Sequence, residues 1–91
     1  MSEVSQQVVI PNKRGLHARA SAKFVAAVSA MEGHHVFVEK DGQEAAGGSI
    51  LGLMMLGAAK GDTVTIRVAG DDAEAKLAEL VALVEGKFGE E

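Results

Sequence analysis

The chain has 91 residues and carries 13 acidic against 9 basic side chains, a formal charge of −4; this length accommodates one core, so a single domain over residues 1–91 is expected. The absence of cysteine excludes disulfides, thiolate nucleophiles and Cys-based zinc or iron–sulfur sites. A net acidic chain with three Phe and no Tyr or Trp also lacks the clustered cations and stacking rings of a general nucleic-acid binder.

In chain order, Val4 to Ile10 is β-rich and ends at Pro11-Asn12, which predicts a strand followed by a loop. From Ala18 the apolar residues Ala20, Phe24, Ala27, Val28 and Met31 recur at helical spacing, with Gly33 as the expected stop. Val36 and Val38 then alternate with Phe37 and Glu39, and Asp41-Gly42 predicts a hairpin into a short strand, Gln43–Ala46. Ser49 opens a short apolar helix from Ile50 to Leu56 that stops near Gly57. After the turn at Lys60-Gly61-Asp62, Val64, Ile66 and Val68 alternate with polar residues in a half-buried strand. Asp71 and Glu74 have capping-box spacing, and Leu77, Leu80, Val81, Val84 and Phe88 line one face of a terminal helix. Only the last few residues are expected to be disordered. The order β-α-β-β-α-β-α predicts an α+β open-faced sandwich with its helices on one side of the sheet.

Charge is distributed unevenly along this frame. Lys13, Arg14, Arg19 and Lys23 lie within a segment, Val4 to Met31, that contains no Asp or Glu, whereas Asp71, Asp72, Glu74, Glu79, Glu85, Glu90 and Glu91 make the C-terminal part acidic. A small basic island on an acidic protein suits a small anion or an acidic patch on a partner. His17 stands in that island at the start of the first helix. As its N-cap it would face the unpartnered amides of Ala18, Arg19 and Ala20. The helix dipole there favours an anion over an imidazolium by about 0.3–1 kcal/mol, which keeps the ring available as a nucleophile toward phosphorus. Gly15 permits a positive φ before the helix, and Leu16 is placed to anchor the loop in the core.

Gly15-Leu16-His17-Ala18-Arg19 and the Ala/Phe helix after it resemble the phosphohistidine motif of the HPr family, the histidine-containing phosphocarriers of the bacterial phosphoenolpyruvate phosphotransferase system. The segment Gly48-Ser49-Ile50-Leu51-Gly52-Leu53-Met54-Met55-Leu56-Gly57 resembles that family's second, serine-containing segment, at the matching distance from the histidine. The resemblance covers nearly the whole chain and implies an HPr-like open-faced β-sandwich, with a four-stranded antiparallel sheet and three helices on one face.

By this resemblance His17 accepts a phosphoryl group at Nδ1 from phosphorylated Enzyme I and passes it to an Enzyme IIA. Arg19 contacts the phosphoryl group, and the backbone amides of Ala18 and Arg19 bind it. The docking face comprises Ala18, Lys23, Ile50, Leu51 and Met54. The family's usual proline after the arginine is replaced by Ala20. Such a protein is a stoichiometric carrier and not an enzyme; it needs no cofactor and acts as a cytoplasmic monomer without nucleic acid or membrane. Met1-Ser2-Glu3 lacks the basic and apolar runs of a signal peptide, and the longest apolar stretch, Ile50 to Ala59, is half the ~20 residues that span a bilayer.

Ser49 carries two roles in this reading. It caps the short helix, worth about 1 kcal/mol, and it matches the serine that an HPr kinase/phosphorylase modifies in part of the family. Ile50, Leu51, Met54 and Met55 exceed what one buried face of so short a helix holds, so they predict an exposed apolar partner surface, with Leu53 and Leu56 in the core. Adjacent His34 and His35 point to opposite faces of a strand and are expected at the surface, without a metal. No paired carboxylates accompany His17 in sequence, which argues against a self-contained hydrolase or kinase. Two further function classes remain: a regulatory, nitrogen-type HPr whose phosphorylation state is read by partners, and a small anion- or RNA-binding domain without phosphotransfer.

Overall fold

A computed structural model describes residues 3–31 and 34–90. Its elements are β1 (Glu3–Val9), α1 (Ala18–Ser29), β2 (His35–Lys40), β3 (Gln43–Ala46), α2 (Ile50–Met55), β4 (Thr63–Ala69) and α3 (Ala73–Glu85), followed by a 3-10 turn at Lys87–Gly89. The sheet order is β1-β4-β2-β3, and each neighbouring pair is antiparallel. Asp41 and Gly42 both take positive φ, 51° and 82°, the geometry that lets a two-residue turn follow the twist of β2 and β3.

The period-two pattern sets the layers. Val64, Ile66 and Val68 are buried, and their register partners Val8, Val38 and Val36 lie on the same covered face. Phe24 of α1, Leu53 of α2 and Val84 of α3 meet Val38, Val64 and Ile66 around a void of about 10 Å³, so all three helices cover one side of the sheet. The opposite side carries Arg67 stacked over Phe37, 5.4 Å from the ring centroid, and paired with Glu44.

Three helix ends differ from their predicted form. α1 ends at Ser29 with Ala30 as its cap, before Gly33, which lies outside the described residues. The N-cap of α3 is Asp72, not Asp71, and it sits at φ 56°, ψ 34° with no side-chain cap bond. A capping side chain needs extended backbone at the cap to reach the N2 or N3 amide, and the left-handed turn after Gly70 removes that geometry. α3 stops at Glu85, so Phe88 is not on its face; Lys87, Phe88 and Gly89 take φ of 60°, 56° and 75°. The reversal turns the Phe88 ring back into the core, where it is 1% exposed. The C-terminal segment is thus tied down as far as Glu90 instead of trailing away.

Phe88→Ala removes this anchor and is expected to lower unfolding free energy by about 3 kcal/mol; urea unfolding monitored by circular dichroism checks it.

Candidate functional site

The segment between β1 and α1 is held by backbone contacts to the chain before β4. The Leu16 amide donates to the Ala58 carbonyl at 3.0 Å, the Ile10 amide to Asp62 at 2.9 Å, and the Gly61 amide to Ile10 at 2.9 Å. Gly15 adopts φ 63°, and a Cβ there would lie 2.2 Å from the Ala58 oxygen, so no other residue fits without moving backbone. Asn12, fully buried, closes the turn by donating through Nδ2 to the Gly15 carbonyl at 2.9 Å. Ser21, also fully buried, donates through Oγ to the Leu16 carbonyl at 3.2 Å.

His17 emerges from this turn as the N-cap of α1, with extended backbone (φ −75°, ψ −178°). Its Nδ1 accepts the Arg19 amide at 3.2 Å. Its Nε2 lies 2.7 Å from Oε2 of Glu90, 73 positions away in the chain. An acceptor must be unprotonated, so these two contacts together assign the lone pair to Nδ1 and the hydrogen to Nε2. The ring is 20% exposed and the Glu90 side chain 16%.

Glu90 brings one carboxylate to the histidine, beside which the sequence predicts no carboxylate pair. The carboxylate has one further contact, Nδ2 of Asn12 donating to its Oε1 at 3.3 Å, and the segment that carries it is held by the Lys23 ammonium, which donates to the Phe88 carbonyl at 2.7 Å. Burial pushes the Glu90 carboxyl up, but the His17 hydrogen bond, attraction to His17, the Asn12 amide and Lys23 together hold it below the ordinary carboxylate value. Lys13, Arg14, Arg19, Lys23, Gly89 and Glu90, the last of them the partner of the His17 ring, line a shallow hollow of about 460 Å³. The basic island of the sequence therefore converges in space, and Ala18 and Arg19 are exposed. Sequence reasoning missed Asn12, Ser21 and Glu90. Asn12 was visible only as a turn residue, and a partner 73 positions distant leaves no local signal.

α2 packs against α1. Ser49 caps it in extended backbone (φ −115°, ψ 110°), and Oγ accepts the Gly52 amide at 2.9 Å. Leu53 and Leu56 are buried, whereas Ile50, Leu51, Met54 and Met55 are 40%, 68%, 41% and 72% exposed. Six helical residues turn little more than one and a half times, so these four cannot share the inward side with Leu53. His34 is half-buried with Nε2 against the Asp71 carbonyl, and His35 is exposed. Among the described residues no group of three or more His, Asp or Glu is arranged around a metal position.

Residues 4–86 match the family model described as the PTS HPr component phosphorylation site. The chain belongs to the HPr family. It is accordingly a phosphocarrier of the phosphotransferase system. Among its relatives are the phosphocarrier protein NPr of Shewanella violacea, 40% identical over 90 residues covering 99% of this chain and 98% of the relative, and the phosphocarrier protein HPr of Neisseria meningitidis, 42% identical over 87 residues covering 96% and 97%. The crystal structure of HPr-C-His from Thermoanaerobacter tengcongensis superimposes with a TM-score of 0.87 at 44% identity, covering 100% of this chain and 99% of that one. In this HPr chain the position after Arg19 is Ala20, which lies in the first turn of α1 and is completely buried.

Two outcomes follow from the contacts. Ser49→Ala is expected to cost about 1 kcal/mol by leaving the Gly52 amide uncapped, read from chemical denaturation. A carboxyl held below its ordinary value contributes stability above the ordinary range, and that contribution is lost as pH falls through the folded value. The melting temperatures of the wild type and Glu90→Gln are therefore expected to differ around pH 6 and to converge as the pH falls below about 4, followed by scanning calorimetry.

Proposed function

We propose that His17 is the phosphoryl acceptor, loaded at Nδ1 by phosphorylated Enzyme I and unloaded to an Enzyme IIA. The observation that carries this reading is the helix N-cap position of the ring, with Nδ1 turned to the amide of Arg19, a residue that lines a basic hollow. Nδ1 holds the lone pair that attacks phosphorus. The transferred oxygens then meet the first amides of α1, including those of Ala18 and Arg19, where the dipole favours negative charge. The Arg19 guanidinium, exposed at the same rim, supplies a planar fork for phosphoryl oxygens.

Docking falls to Ala18 and Lys23 on α1 and to Ile50, Leu51 and Met54 on α2. The apolar cluster is exposed, and flexible methionine side chains suit successive partners of different shape. Lys23 serves a second purpose, because its ammonium already ties down the C-terminal segment. The protein acts as a monomeric, single-domain carrier over residues 1–91, in the cytoplasm where Enzyme I and Enzyme IIA meet it. It is a stoichiometric relay and not an enzyme, since each phosphoryl group resides on His17 between two partners.

Ser49 is the regulatory position in this reading. A phosphate on its hydroxyl would sit at the start of α2 beside the docking residues, where an HPr kinase/phosphorylase would weaken Enzyme I binding by adding charge. The likeness to an NPr favours a second reading, a nitrogen-type carrier whose phosphorylation state is read by partner proteins without sugar uptake.

Incubation with phosphoenolpyruvate and Enzyme I is expected to add one acid-labile phosphate, seen by intact mass, that is absent from His17→Ala. A folded wild-type protein that takes up no phosphate would overturn the carrier role and leave a binding module.

A further inference from the structure

The chain has four methionines and no cysteine, so thioethers are its only sulfur groups. Met1 lies outside the described residues, and Met31, just after α1, belongs to the core at 6% exposure. Met54 and Met55 differ sharply from it. They close α2 and are 41% and 72% exposed. Met55 also lines an open hollow of about 430 Å³ with Gln43, Glu44, Ala45, Gly52 and Leu56, which gives a small solute access to its side chain. Leu51 stands three positions before Met54 and four before Met55, so both methionines neighbour it on the helix surface. Leu51 is the most exposed aliphatic residue of α2, and two accessible sulfurs therefore flank it.

Building on the reading of α2 as part of the docking face, we propose that Met54 and Met55 are a reversible oxidation site: hydrogen peroxide converts their thioethers to sulfoxides, and the oxidised helix binds Enzyme I more weakly. A sulfur lone pair attacks one peroxide oxygen, so an S–O bond forms as the O–O bond breaks. The departing oxygen takes the electron pair of the O–O bond as hydroxide. The oxygen now on sulfur gives up its proton to that hydroxide, which leaves as water. Sulfur has lost two electrons and the peroxide has gained them. A thiol-dependent sulfoxide reductase reverses the change: two electrons return to sulfur, the oxygen leaves as water, and the thiols become a disulfide.

The chemistry of the patch gives this small change its effect. Oxidation turns a flexible apolar side chain into a polar, chiral one. Ile50, Leu51 and Met54 offer a partner apolar surface only, and α2 carries no ionisable side chain. A sulfoxide oxygen placed among them loses its water on docking and meets a contact made for a thioether. The fold itself is spared. Buried Leu53 and Leu56 and the Ser49 cap hold α2 in place, and the reaction touches none of them. Exposure also sets the order of attack among the described residues: Met55 first, Met54 next and the buried Met31 last.

The test treats the full chain with hydrogen peroxide, removes the peroxide, and maps the added oxygens by peptide mass. Met54 and Met55 are expected to oxidise about tenfold or more faster than Met31. Amide spectra establish that the oxidised protein is folded. Titration calorimetry against unphosphorylated Enzyme I is then expected to show Kd raised about tenfold, and restored by methionine sulfoxide reductases acting on both epimers. The Met54→Leu/Met55→Leu double variant keeps apolar side chains without sulfur, and its Kd after peroxide should equal its own value before. Oxidation of Met31 as fast as Met55, loss of the fold, an unchanged Kd, or an equal loss in the treated double variant would overturn the assignment. Calorimetry needs no phosphoenolpyruvate, so the readings fail separately. An untreated chain that binds Enzyme I but takes up no phosphate defeats the carrier role alone, and one that does not bind defeats the docking face and this inference with it.

Discussion

The hydrogen bond from the Leu16 amide to the Ala58 carbonyl is the constraint on which the site depends. It ties the turn before α1 to the chain between α2 and β4, and the two bonds joining Ile10 to Gly61 and Asp62 extend the same seam. Each such bond contributes about 1 kcal/mol, a modest amount. Its larger effect is positional. With Leu16 buried and Gly15 pressed against Ala58, the first residue of α1 has one place to start, and His17 must be its cap. The orientation of a reactive ring is thus inherited from main-chain geometry that no flexible side chain can relax.

Around that ring the structure balances charge on two sides. The helix start offers the Arg19 amide to Nδ1, while the Glu90 carboxylate, which shares a hollow with four cations, meets Nε2. A histidine held between an amide donor and a carboxylate acceptor has its tautomer decided before any partner arrives. The carboxylate itself is held below its ordinary value by His17, Asn12 and Lys23, which outweigh the cost of its burial.

The brevity of α2 has a comparable logic. With six helical residues, burying Leu53 and setting Leu56 at its end is enough to fix it on α1, and the other apolar side chains are left outward. In a longer helix the same residues would spread over more turns and could be covered. Here stability of the helix rests on the Ser49 cap and on packing, and the exposed side chains are free to meet another surface.

The sequence alone determined the elements and the core, because those follow from local signals. Strand alternation at Val64, Ile66 and Val68, the Asp41-Gly42 turn, the cap at Ser49 and the glycine before His17 are each readable within a few residues. Local signals also misled where backbone conformation overrode them: the Asp71 and Glu74 spacing failed because Asp72 turned left-handed, and the helical spacing of Phe88 survived a helix that ended before it. Only the tertiary structure decided that Glu90 and Asn12 belong to the histidine's surroundings. Their meeting spans 78 positions and depends on a chain reversal, a buried ring and a lysine on another helix. Contacts of that range arise from the packing of the whole core, so no pattern near His17 or near the C-terminus encodes them by itself.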